Sequence, residues 1–136
     1  MKTIEILEHQ AQIVKAVAKA IREPWLYAVV DIEIDVIDGD RTENSIALSY
    51  AKRLWRLISQ DIGLPYEHYD WFVSLREQMA EASEQRWSTC RLVFDKRGHY
   101  EFDFSYDLPP RLNGIHDDVT MLTTFDPRSV LKRRGR

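Results

Sequence analysis

Carboxylates recur at every second position in two segments of this chain. From Leu26 to Val36, Asp31, Glu33 and Asp35 alternate with Val30, Ile32, Ile34 and Val36. From Tyr100 to Asp107, Glu101, Asp103 and Asp107 are interleaved with Tyr100, Phe102, Phe104 and Tyr106. Strand side chains point to opposite faces with a period of two, so each segment predicts one apolar and one acidic face. Two chemistries suit such rows. Carboxylates held on a rigid sheet steer and orient a positively charged partner. Clustered carboxylate oxygens also bind Mg²⁺ or Ca²⁺. Same-face neighbours lie about 6–7 Å apart along a strand, however, a long span for sharing one ion. The plain alternative is a solvated face that keeps the sheet soluble and discourages edge pairing. That alternative does not explain why the face carries acids with no Lys or Thr among them.

Other reactive side chains are scattered. His9, His68, His99 and His116 lie at no ligand spacing from one another or from Cys90, and surface or turn roles suit them. Cys90 alternates with Leu92 and Phe94, which predicts a buried, inert thiol. His116-Asp117-Asp118 has part of a catalytic constellation without a serine or cysteine motif beside it. The chain carries no phosphate-cradling glycine loop. The sequence therefore assigns no catalytic residue, metal ligand or cofactor. The basic end, Lys132 to Arg136, reads as a solvated terminus, with nucleic acid as its other reading.

The elements that must position these residues follow from periodicity. Leu7, Ala11, Val14, Ala18 and Ile21 form one apolar stripe, predicting a helix over 3–22 that Thr3 caps and Pro24 ends. A strand follows over 25–37, a turn at Asp38-Gly39-Asp40, a loop through Asn44, and a second strand over 45–51. In that strand Ile46, Leu48 and Tyr50 share one side, and small Ala47 and Ser49 the other. Lys52 to Gln60 fits either a short helix or a strand extension. A second helix over 67–85 buries Phe72, Leu75 and Met79. Strands over 87–95 and up to Asp107 flank a hairpin loop at Asp95-Lys96-Arg97-Gly98. Pro109-Pro110 and Asn113-Gly114 interrupt regular structure, and a strand is possible over 119–125. This order predicts an α+β fold: a four-stranded antiparallel sheet with two helices packed on one face and the acidic face open. Residues 109–136 form a less regular extension of a single domain.

Composition bounds the function. A chain of 136 residues is long enough for one domain with its own core. The net charge of −3 is mild, but charge is segregated. Six acids face one base, Arg41, between Leu26 and Ala51, while the last five residues hold four bases. One cysteine precludes an internal disulfide and fits a reducing compartment. The N-terminus has an early acid and no long apolar run, so a cytoplasmic protein is expected, with no membrane partner.

The stretch from Glu67 to Asp107 resembles a known family. A helix with Leu75-Arg76, Trp87 before a strand, a Lys-Arg-Gly hairpin and the strand Phe102-Asp103-Phe104-Ser105-Tyr106-Asp107 are similar to the closing half of the YezG-like immunity proteins. The amphipathic first helix and the aromatic-led strand at Trp25-Leu26-Tyr27 fit too. The likeness does not extend to Lys52–Pro65 or past Leu108. It implies a non-enzymatic cytoplasmic protein that neutralises a cognate toxin, often a nuclease, delivered between competing bacteria. The matching Trp87, Phe102, Phe104 and Tyr106 are packing residues. A nuclease cleft is positive because it binds phosphates, so the acidic rows offer it a complementary surface. The expected partner surface is therefore Asp31, Glu33, Asp35, Glu101, Asp103 and Asp107, with Tyr27, Trp55 and Trp71 as aromatic anchors. The alternatives are a metal-dependent hydrolase using the carboxylates and a small nucleic-acid-binding module using the basic tail.

Overall fold

The computed structural model describes residues 2–134. The order is α1 (Lys2–Ala20), β1 (Tyr27–Ile37), β2 (Asp40–Arg53), β3 (Arg56–Asp61), α2 (His68–Ser83), β4 (Thr89–Asp95) and β5 (Tyr100–Ser105). A 3₁₀ turn (Arg111–Asn113) and α3 (Arg128–Arg134) follow. The fold is α+β, and its antiparallel sheet has five strands in the order β3-β2-β1-β4-β5. The expectation of four strands and two helices is corrected at both ends. Lys52–Gln60 is neither a helix nor a simple extension: the chain turns at Leu54-Trp55 and returns as the edge strand β3. The segment 119–125 forms turns rather than a strand, and α3 is an added helix. No described helix is long and apolar enough to cross a membrane.

One side of the sheet holds the main core. Ile13, Val14 and Val17 of α1 and Phe72 and Leu75 of α2 pack on Ala28, Val30, Ile32, Ile34, Leu92 and Phe94. Phe102 and Phe104 join this side, as their alternation predicts. Tyr106 lies beyond the end of β5 and is exposed, as is Val36 at the end of β1. Arg76 is buried in α2, and its Nε donates to the Trp87 carbonyl at 2.7 Å, tying the helix to the approach of β4. Burial lowers the guanidinium pKa from its ordinary value, with the Glu77 carboxylate opposing the shift.

The other side is covered too. Val29, Tyr50 and Val93 form a second core with Leu122 and Leu131 from the C-terminal segment, edged by Ile46, Leu48 and Phe125. Every residue from Ala28 to Ile34 is buried, the pattern of a central strand enclosed on both faces. Two hairpin turns contrast in chemistry. Asp38 and Gly39 join β1 to β2, both with positive φ (53° and 84°), the conformation a tight two-residue hairpin requires. Leu54 and Trp55 join β2 to β3, and Leu54 also has positive φ (58°) without being glycine.

Candidate interaction surface

The acidic residues do not form an open face. Asp31 and Glu33 are 2% and 1% exposed. Asp31 Oδ1 accepts a hydrogen bond from Arg111 Nη1 at 2.8 Å, and Oδ2 accepts one from Arg91 Nε at 2.7 Å. Glu33 Oε2 and Oε1 accept the backbone N–H groups of Arg111 and Leu112 at 3.1 and 2.9 Å. Arg111 is itself buried. Its Nε donates to Asn44 Oδ1 at 2.6 Å, its Nη2 to the Asp31 carbonyl at 2.9 Å, and its Nη1 also to the Thr120 carbonyl at 3.0 Å. The negative charge on β1 thus answers a guanidinium and two backbone amides delivered by the C-terminal segment. The expected docking role of Asp31 and Glu33 is corrected: their oxygens are committed within the chain and shielded from any partner. The same commitments displace a hard cation from this pair. Among the described residues, no group of three or more His, Cys, Asp or Glu side chains is placed to hold a metal ion.

The remaining candidates are dispersed. Asp35 is half-buried at the end of β1, where its carboxylate accepts the Val36 N–H at 2.8 Å. Glu101 is half-buried opposite Val93, Asp103 is exposed opposite Arg91, and Asp107 is exposed beyond β5. Tyr27 is half-buried at the wall of an open polar cleft of about 670 Å³, shared with Asp95, Arg97, His99, Asp126 and Arg128. Its polar groups are largely paired already, His99 Nδ1 with Asp95 at 2.9 Å and Arg128 with Asp126 at 2.8 Å. Trp71 is partly buried against the main core. Trp55 alone among the three aromatic anchors is freely exposed, at 87%, and its neighbour Leu54 is 84% exposed.

Three residues escaped sequence reasoning. Arg111 was not singled out; its signal was an acidic row with no cation in its own sheet segment and an arginine following Pro109-Pro110. Ser45 and His68 form the second feature. His68 is buried, its Nδ1 lies 2.8 Å from the Pro65 carbonyl, and its Nε2 lies 2.8 Å from Ser45 Oγ. The carbonyl can only accept, so Nδ1 donates to it. Tyr69 OH is 3.3 Å from the same Oγ. The trio joins the first turn of α2 to β2: of the surface or turn roles expected of the histidines, His68 has the turn position but is buried. Cys90 is fully buried, as its alternation predicts, and burial, then the Asp31 and Asp103 carboxylates, push its thiol pKa well up. Lys132 to Arg134 fall in α3, but the side chains of the basic end lie outside the described residues.

Neither a protein-family model nor a curated protein sequence matches the chain.

Proposed function

We propose that this chain is a non-enzymatic interaction protein of the YezG-like immunity kind. It binds and neutralises a cognate bacterial toxin in the cytoplasm of the cell that makes it. The likeness supports this reading through Trp87, Phe102 and Phe104, which lie on the helix-covered side of the sheet where packing residues of a shared fold belong. One observation carries it: Leu54 and Trp55 stand exposed on a two-residue hairpin turn. Trp is the residue type most enriched among interface residues that dominate binding energy. The docking surface moves accordingly from the acidic face to this hairpin. A nuclease domain remains the proposed toxin class through the likeness alone. The electrostatic argument for it shrinks to Asp103 and Asp107, which are exposed.

The test is protection. The reading requires a toxin domain encoded beside this chain, and the lack of such a neighbour overturns it. That domain is expressed in a sensitive bacterium, with and without the chain. Growth is expected only with it, together with a one-to-one complex in size-exclusion chromatography. Trp55→Ala should weaken the complex by roughly 30-fold or more, the scale of an interface hot spot. Continued toxicity with no complex would overturn the reading.

A further inference from the structure

The turn between β2 and β3 breaks several local rules at once. Leu54, a bulky residue, adopts positive φ, where glycine or asparagine is ordinarily found. Its side chain is 84% exposed, so burial returns nothing for that conformation. Arg53 and Arg56 are direct cross-strand partners, a like-charge pair that destabilises a hairpin. Lys52 adds a third cation, and none of the three makes an ion pair among the described residues. Trp55 at the tip and Ile58 on β3 add exposed apolar area. Rule-breaking of this density is the mark of a site whose compensation comes from outside the chain.

We infer that this hairpin and the free edge of β3 receive an extended acidic segment of a partner protein, which adds to the sheet as a sixth strand beside β3. The inference rests on reading the chain as an interaction protein and specifies the partner's chemistry. β3 is an edge strand paired only to β2, so alternate residues over Arg56–Asp61 direct N–H and C=O groups outward. An added strand satisfies those groups, as in other strand-addition complexes. Carboxylates on the face shared with Arg53, Arg56 and Ile58 relieve the like-charge repulsion. Apolar residues alternating with them fall on the opposite face, beside Leu57, and the end of the segment reaches Leu54 and Trp55 at the exposed tip.

Other anionic occupants fit less well. A nucleic acid would use the cations and one stacking ring, but it would leave the aliphatic Leu54 and Ile58 and the backbone edge unused. A phospholipid surface would take Leu54 and Trp55, yet Ser59, Gln60 and Asp61 continue the same strand as an exposed polar run.

The test uses the full chain and defined probes. A labelled decapeptide alternating Glu with Val and Phe is titrated by fluorescence anisotropy, alongside the same peptide with Lys in place of Glu. A deoxythymidine oligomer and phosphatidylglycerol vesicles are the further comparisons. Saturable binding of the Glu peptide is expected, weakened by added salt, with slowed amide exchange over residues 56–61. The charge-reversed variant Arg53→Glu with Arg56→Glu should bind it at least about tenfold more weakly. Removing a like-charge pair and installing another leaves the hairpin's pairing pattern in place, and far-ultraviolet circular dichroism checks that the variant folds. Leu54→Gly, which suits the positive φ, provides a second folded variant and should also lose affinity. Four results overturn the inference: no binding of the Glu peptide, equal binding of the Lys peptide, preference for the oligomer or vesicles, or undiminished binding by the reversed variant. These results are independent of whether the neighbouring toxin is neutralised, so the functional reading and this one fail separately.

Discussion

Arg111 organises more of this molecule than any other side chain. Its guanidinium reaches the buried Asp31 and the half-buried Asn44 and Thr120 at hydrogen-bond distance and lies 3.5 Å from the buried Glu33. Buried ion pairs gain little over well-packed apolar groups, but removing one partner strands the other charge. Arg111→Met should therefore cost about 3 kcal/mol or more of unfolding free energy in urea titration. Adding Asp31→Asn to that variant should cost less than the sum of the two single changes, because the stranded carboxylate is gone. Strict additivity would mean the pair is not coupled. Tyr50 belongs to the same buried layer. Burial first, then the Asp126 carboxylate, pushes its phenol up to about 12, with Arg91 opposing. An unfolded tyrosine ionises near 10. Between those values the folded chain holds a proton that the unfolded chain has released, so stability falls as pH rises. The contribution is complete below about pH 10 and amounts to roughly 2–3 kcal/mol lost by pH 12. Difference absorbance at the tyrosinate band should show one late-titrating tyrosine, and Tyr50→Phe should remove it.

At the scale of elements, the two hairpin turns of the β1–β2–β3 meander explain what a sequence reader can and cannot see. Asp38-Gly39 is a turn in composition and in structure, because aspartate and glycine tolerate positive φ. Leu54-Trp55 carries no such signal. Its apolar spacing fits a short helix and a strand extension alike, so β3 is illegible, and the sheet reads one strand short. The first strand misleads differently. Its alternation correctly separates Val30, Ile32 and Ile34 from Asp31 and Glu33, but periodicity cannot say whether the second face meets water or protein. The balancing cation sits some eighty residues later, at the pairing of Arg111 with Asp31. A positive φ at a non-glycine residue costs on the order of 1–3 kcal/mol, while glycine gives back roughly 1 kcal/mol of that through unfolded-chain entropy. Leu54→Gly is thus expected to leave stability unchanged or raise it by up to about 2 kcal/mol. A clear loss in the thermal midpoint would show that the exposed leucine supports the fold rather than a partner.

On the scale of the whole molecule, the sheet is the middle of three layers. Helices α1 and α2 cover one side, and the segment from Pro109 to Leu131 straps the other. The strap is tied by polar bonds at its 3₁₀ turn, through Arg111 and Leu112, and by apolar side chains at its far end, through Leu122 and Leu131. Its turn near Asp117 is self-supporting: the Asp117 N–H donates to Thr120 Oγ1 at 3.0 Å, and the Thr120 N–H donates to Asp117 Oδ1 at 2.9 Å. A chain ended after Leu108 would keep every strand and both long helices. It would nevertheless uncover Val29, Tyr50 and Val93 and strip Glu33 of its two amide donors. Losing that core layer and exposing its apolar sheet face exceeds the few kcal/mol by which such domains are stable. The shortened chain should accumulate in aggregates, or remain soluble only with near-ultraviolet circular dichroism lost and hydrophobic dye bound. Cooperative unfolding at an undiminished thermal midpoint would show that the strap is an ornament on an independently stable sheet, and that the acids of β1 can face solvent after all.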